Sequence, residues 1–146
     1  MNTANCLWLR DRAFAVKRAT VTRHQDIWSI EIDTESQEYD GENWAPSLYH
    51  QGLRLQVQAA EALQGQTLKW NSSTEPVHEH PELGIMYVFG HHEIRISELN
   101  FGKVEHGQIE LDWSGECDVY WDDKFHEGVP FRCKCTAQLI GADRLT

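Results

Sequence analysis

Long apolar runs are missing from this 146-residue chain. The longest is the five residues Ile85-Met86-Tyr87-Val88-Phe89, far short of the ~20 that a membrane-spanning helix needs. Basic residues are also scarce, with 13 Lys and Arg against 23 Asp and Glu, giving a formal net charge of −10. No basic stripe exists to release counterions, so nucleic acid and membrane surfaces are not expected as partners. Four cysteines, one at position 6 and three between 117 and 135, are too few for a disulfide scaffold. The segment from Met1 to Arg12 has no basic leader and only a four-residue apolar stretch. Together these features lead to the expectation of reduced thiols in the cytoplasm. Motifs for chemistry are absent too: there is no Gly-rich phosphate loop, no dinucleotide fingerprint and no zinc-ribbon spacing. Ser114 lies in Trp-Ser-Gly without the earlier glycine of a nucleophile elbow. These absences argue against an enzyme, and neither cofactor nor metal is expected.

What the chain does have is two-residue alternation. Hydrophobic residues make up 40% and charged residues 25%, a balance that suits a globular domain. Its length fits a single domain, residues 1–146, with flexible ends expected at 1–11 and 140–146. Trp28, Ile30 and Ile32 alternate with Ser29, Glu31 and Asp33, which predicts a strand after a turn at Arg23-His24-Gln25-Asp26. The preceding strand, with Phe14, Val16 and Val21, has mixed phase and calls for a bulge. Leu53, Leu55 and Val57 predict another strand, while Ala59 to Gln64 has helical propensity. Leu68 and Trp70 suggest a short strand after a turn at Gly65. The run 85–89 reads as a strand buried on both faces, turning at residues 90–93 into Ile94-Arg95-Ile96.

The last third is the clearest. Ile109, Leu111, Trp113, Cys117, Val119 and Trp121 share one face, by a long strand through Gly115 or a hairpin at Ser114-Gly115-Glu116. His106-Gly107 predicts a two-residue turn that sets Val104 across from Ile109. Phe131, Cys133, Cys135, Ala137 and Leu139 form the final inward set. A pairing centred on His126 would bring Cys117 opposite Cys135. The fold expected is mainly β, an antiparallel β-sandwich or partly closed meander barrel of 8–10 short strands with little helix.

Site candidates come from several clusters. His78-Glu79-His80 places two imidazoles on one strand face, and this His-x-His resembles the cupin motif. Positions 84 and 85, where that motif wants a glutamate, are Gly and Ile, and His91-His92 would lie about 16 Å away across an extended strand. Solvated loop histidines are therefore the plainer reading, as apolar filler is for Cys117, Cys133 and Cys135. The acidic segment Asp112 to Asp123 turns its tryptophans away from Asp112 and Asp118, so a solvated acidic face is expected there.

Two segments, 35–51 and 71–84, lack either period and read as long loops. Trp44, Tyr49, His50, His78 and His80 within them, together with Asp122 and Asp123, are the candidate binding residues. The function expected is a non-enzymatic acidic module that binds a basic protein, immunity-like or regulatory in general character. The alternative is a small-molecule-binding or enzymatic barrel with its pocket ringed by loops 35–51 and 71–84.

Overall fold

The structure is a computed structural model that describes residues 5–25, 27–54, 59–71, 85–88, 91–121 and 124–141. Eleven strands are found among them: β1 (Cys6–Leu9), β2 (Arg12–His24), β3 (Ile27–Thr34), β4 (Gln37–Tyr39), β5 (Glu42–Trp44), β6 (Ser47–Arg54), β7 (Thr67–Asn71), β8 (Ile85–Tyr87), β9 (His91–Glu105), β10 (Gln108–Trp121) and β11 (Lys124–Ile140). One 3-10 turn, Ala60–Leu63, occupies the stretch of helical propensity and buries Ala60 and Leu63.

Nine strands form one sheet in the order β10-β11-β1-β2-β3-β6-β8-β9-β7, and β9 also pairs with β10. The sheet curls strongly into a half-barrel, consistent with the barrel or sandwich class expected. Among the described residues, the ladder passes from β6 to β9 through β8, whose three residues pair with both neighbours. All the pairings are antiparallel except a short parallel contact between Gln138–Ile140 of β11 and Thr20–Thr22 of β2.

Bulges account for the curl, because an extra residue on one strand bends it and raises its twist. Register shifts occur on β2 between Val16 and Arg18, and on β6 opposite Trp28 and Ile30. Two more lie between β9 and β10, and one lies between β10 and β11. Each also switches which parity faces inward. Phe14 is buried before the β2 bulge, and Ala19 and Val21 after it. The predicted bulge is thus present.

Turn chemistry fixes the hairpins. His106 and Gly107 have φ of 54° and 73°, which a two-residue turn of primed type requires, and Val104 pairs with Ile109. His24 pairs with Ile27 around Gln25, which has φ of 59°.

The interior is a single cluster. Trp28 and Trp113 are fully buried, with Leu7, Ile30, Ile32, Leu48, Leu53 and Leu99. Of the expected inward set, Ile109, Leu111, Trp113, Cys117, Val119, Phe131, Cys133, Cys135 and Ala137 are buried, Leu139 is half-buried against them, and the Trp121 side chain lies outside what the structure describes. The Trp113 indole N–H donates to the buried Ser97 hydroxyl, so this side chain is satisfied inside the core.

Several expectations are corrected. The strands are more numerous and some are much longer than the 8–10 short ones expected: β2, β9, β10 and β11 span 13, 15, 14 and 17 residues. Of the two alternatives at Ser114-Gly115-Glu116, the long strand through Gly115 is present and the hairpin is not, position 115 being mid-strand in β10. Cys117 pairs with Val129 and Cys135 with Leu111, because the β10–β11 connection is short and not centred on His126. Tyr87 of β8 is 38% exposed, so Ile85–Tyr87 is not a strand covered on both faces; Phe89 lies outside the described residues, and residues 91–93 belong to β9 instead of a turn. Cys6–Leu9, expected as a loose end, is a strand held between β2 and β11, with the Asn5 carboxamide accepting the Thr136 N–H.

Residues 35–51 are not a long loop. Asp40-Gly41, with φ of 55° and 81°, closes the β4–β5 hairpin, and β6 starts at Ser47. Polar composition hid this hairpin, since its turn residues are also what a loop would contain.

Candidate binding face

Trp44 is the first candidate residue whose environment changes its reading. It is 2% exposed, stacked on Phe14 with ring centroids 6.3 Å apart, and met edge-on by Tyr39 at the same distance. Arg12 lies over the Trp44 ring at 4.5 Å and pairs with Asp40 at the hairpin tip. The Tyr39 hydroxyl donates to the Ala13 carbonyl and accepts the Ala13 N–H, both at 3.0 Å. This cluster pins the β4–β5 hairpin to β2 and uses Trp44 as core. His50, expected in a loop, is fully buried in β6 opposite Ile30.

Tyr49 differs. The alternation that turns Leu48 and His50 inward sends Tyr49 to the outer face, half-buried. There it lines an open depression of about 300 Å³ with Glu31, Ile32, Asp33, Ser47, Gln51 and Tyr87. Register explains the grouping. Glu31 opposes Tyr49, Asp33 opposes Ser47, and Ser47 in turn opposes Tyr87 across β8. Ser47 donates from its hydroxyl to the Asp33 carboxylate at 2.9 Å, which fixes that carboxylate at the wall of the depression. The face therefore combines two carboxylates with two phenol rings.

Glu31 and Asp33 were visible in the sequence as the outward partners of Ile30 and Ile32, but nothing local linked them to Tyr49 or Tyr87. That link depends on which strands neighbour β3. His78, His80, Asp122 and Asp123 lie outside the described residues, as does the segment 72–84.

The cysteines are free thiols. Burial pushes the Cys117 thiol up to about 12, with the Asp118 charge adding to it. The Cys133 thiol rises through its hydrogen bond with Cys135 and then through burial. Cys6 is raised by burial more than its hydrogen bond with the Phe14 backbone lowers it. Thiols held protonated in this way are poor nucleophiles and poor metal ligands. Among the described residues, no group of three or more His, Cys, Asp or Glu side chains is placed to hold a metal ion. No described helix is long and apolar enough to cross a membrane.

Comparison of the chain with protein-family models, with curated proteins and with solved structures finds no match.

Proposed function

We propose that this protein is a non-enzymatic binding module of the cytoplasm whose acidic outer face receives the Lys and Arg side chains of a basic protein. The observation that carries this reading is the set Glu31, Asp33, Tyr49 and Tyr87 around one open depression. A carboxylate attracts a cation by charge, and a phenol ring attracts it through its quadrupole. Both are useful for a guanidinium or ammonium group and offer little to an anion. The net charge of −10 would speed the encounter with a basic surface and repel anionic competitors.

The competing reading, a ligand pocket ringed by loops 35–51 and 71–84, has less support. Residues 37–39, 42–44 and 47–54 are strands, and Trp44 is committed to packing.

The test is calorimetric titration of the whole chain with a penta-arginine peptide at low and high salt. Binding is expected at low salt and should weaken by about tenfold or more at high salt, where exposed charges are screened. Glu31→Gln with Asp33→Asn should weaken it by a similar factor at low salt. Affinity indifferent to both salt and these substitutions would refute the reading.

A further inference from the structure

We infer that the outer face of the β10–β11 hairpin is a second part of the docking surface, one that takes apolar side chains ringed by basic ones. This rests on the proposal of a basic protein partner and specifies what else that partner must present. Tyr120 and Phe125 are 48% and 57% exposed and stand directly opposite one another across the hairpin. Ile96 of β9, 42% exposed, opposes Glu116, and the exposed Pro130 opposes Glu116 from the other side.

The pairing of the two rings is the work of a bulge. If the register at Cys117 and Val129 continued unchanged, Tyr120 would oppose His126. Instead β11 holds one extra residue, so Val119 opposes His126 and Tyr120 opposes Phe125. Gly128 takes the left-handed conformation this needs, with φ of 62°, and its N–H is accepted by the Asp118 carboxylate at 2.9 Å. With Val119 buried, β10 must turn Tyr120 outward, and the shifted register turns Phe125 outward beside it. Two large rings are thus held in water on a rigid ladder, where a partner can bury them without ordering a loop.

Charge selects the occupant. Glu116 and Asp118 share the Tyr120 face of β10 by alternation, Glu127 follows Phe125 two residues on in β11, and Lys124 is the one Lys or Arg among the described residues from 115 to 130. A second copy of a chain with net charge −10 would bring like charge against this rim, as would a phosphate backbone. A surface with an apolar centre and a Lys or Arg border fits both parts.

The probes are two peptides of equal positive charge, one an amphipathic Leu/Lys sequence and the other a Lys/Ser sequence. They are titrated into the ¹⁵N-labelled full chain and followed by amide shifts. The Leu/Lys peptide should bind about tenfold more tightly, with its largest shifts between residues 115 and 130. Tyr120→Ser with Phe125→Ser, both at exposed positions, should erase that difference while leaving the Lys/Ser affinity in place. Equal affinity of the two peptides for the wild-type chain would overturn the inference, as would an unchanged difference in the double variant. If Glu31→Gln with Asp33→Asn weakens both peptides while the hairpin variant weakens neither, the hairpin inference fails and the basic-partner reading stands. Should neither peptide bind at low salt, both fail.

Discussion

Gly115→Ala should damage the fold far more than its size implies. Gly115 has no positive φ, so backbone conformation does not require glycine there; space does. A methyl group at position 115 would collide with the Ile96 carbonyl oxygen and lie 2.9 Å from the Ile96 carbonyl carbon and 3.0 Å from Ser97 Cα. All three obstacles are backbone atoms of β9, so no side chain can swing aside. The β9–β10 ladder must open locally, where Gly115 pairs with Ser97 and Glu116 with Ile96. Overpacking costs about 1–3 kcal/mol. One or two weakened ladder hydrogen bonds add about 1 kcal/mol each. Restriction of the unfolded chain offsets about 0.4–1 kcal/mol of this. The net expectation is a loss of about 2–4 kcal/mol. Urea unfolding reads it as a midpoint lower by about 1–2 M, taking a slope of about 2 kcal/mol per molar. Ser114→Ala, one residue away on the same strand, should stay within about 0.5 kcal/mol of wild type. If Gly115→Ala matches that neighbour, the close approach of the two strands is not as described.

Other substitutions probe separate parts of the structure. Leu111→Asp puts a carboxylate where the side chain is 3% exposed and should cost several kcal/mol in thermal or urea unfolding. Arg12→Ala removes both the cover on Trp44 and the pair with Asp40, and should cost about 1–2 kcal/mol, with a change in tryptophan fluorescence as Trp44 gains water. The raised thiols predict alkaline sensitivity. The Cys117 value rises from the ordinary 9.0 to about 12 on folding, so its contribution to stability is complete below pH 9 and declines as pH climbs toward 12. The unfolded chain then releases the proton first, giving a slope of up to about 1.4 kcal/mol per pH unit for this thiol, which Cys117→Ala should remove from stability measured against pH. Native-state alkylation at pH 8 should modify Cys6, the half-buried thiol, well before the three buried ones, as read by peptide mass.

Legibility in the sequence followed the range of the forces involved. Alternation is local, so the inward faces of β3, β10 and the second half of β11 could be read directly from Trp28, Leu111 and Cys133. Turn chemistry is equally local, and His106-Gly107 gave both a hairpin and its register. The β4–β5 hairpin was missed because its only apolar anchors, Tyr39 and Trp44, act through Arg12 and Phe14 on a distant strand. The bulge of β2 showed in its mixed phase, but those of β9 and β11 were harder. The extra residues at Gly102-Lys103 and Glu127-Gly128 have no local pattern, yet they decide which residues share a face. In the first of these, the Glu110 carboxylate accepts the Lys103 N–H. For the same reason the candidate residues divided: Trp44 and His50 became core, whereas Tyr49 joined Glu31, Asp33 and Tyr87 across strands that no sequence window contains.

The position of β1 has a consequence for how the molecule comes to exist. Four residues near the beginning of the chain lie between β2 and β11, with Cys6 opposite Ala15 on one side and Lys134 on the other. One of those partners is a few residues away; the other is emitted by the ribosome more than a hundred residues later. Until then β1 has one open edge, and so does β11's future neighbour β2 at Thr20–Thr22. The β1–β11 seam joins segments far apart in sequence, so refolding should be slow, as it is for chains rich in distant pairings, and strand edges stay exposed until it closes.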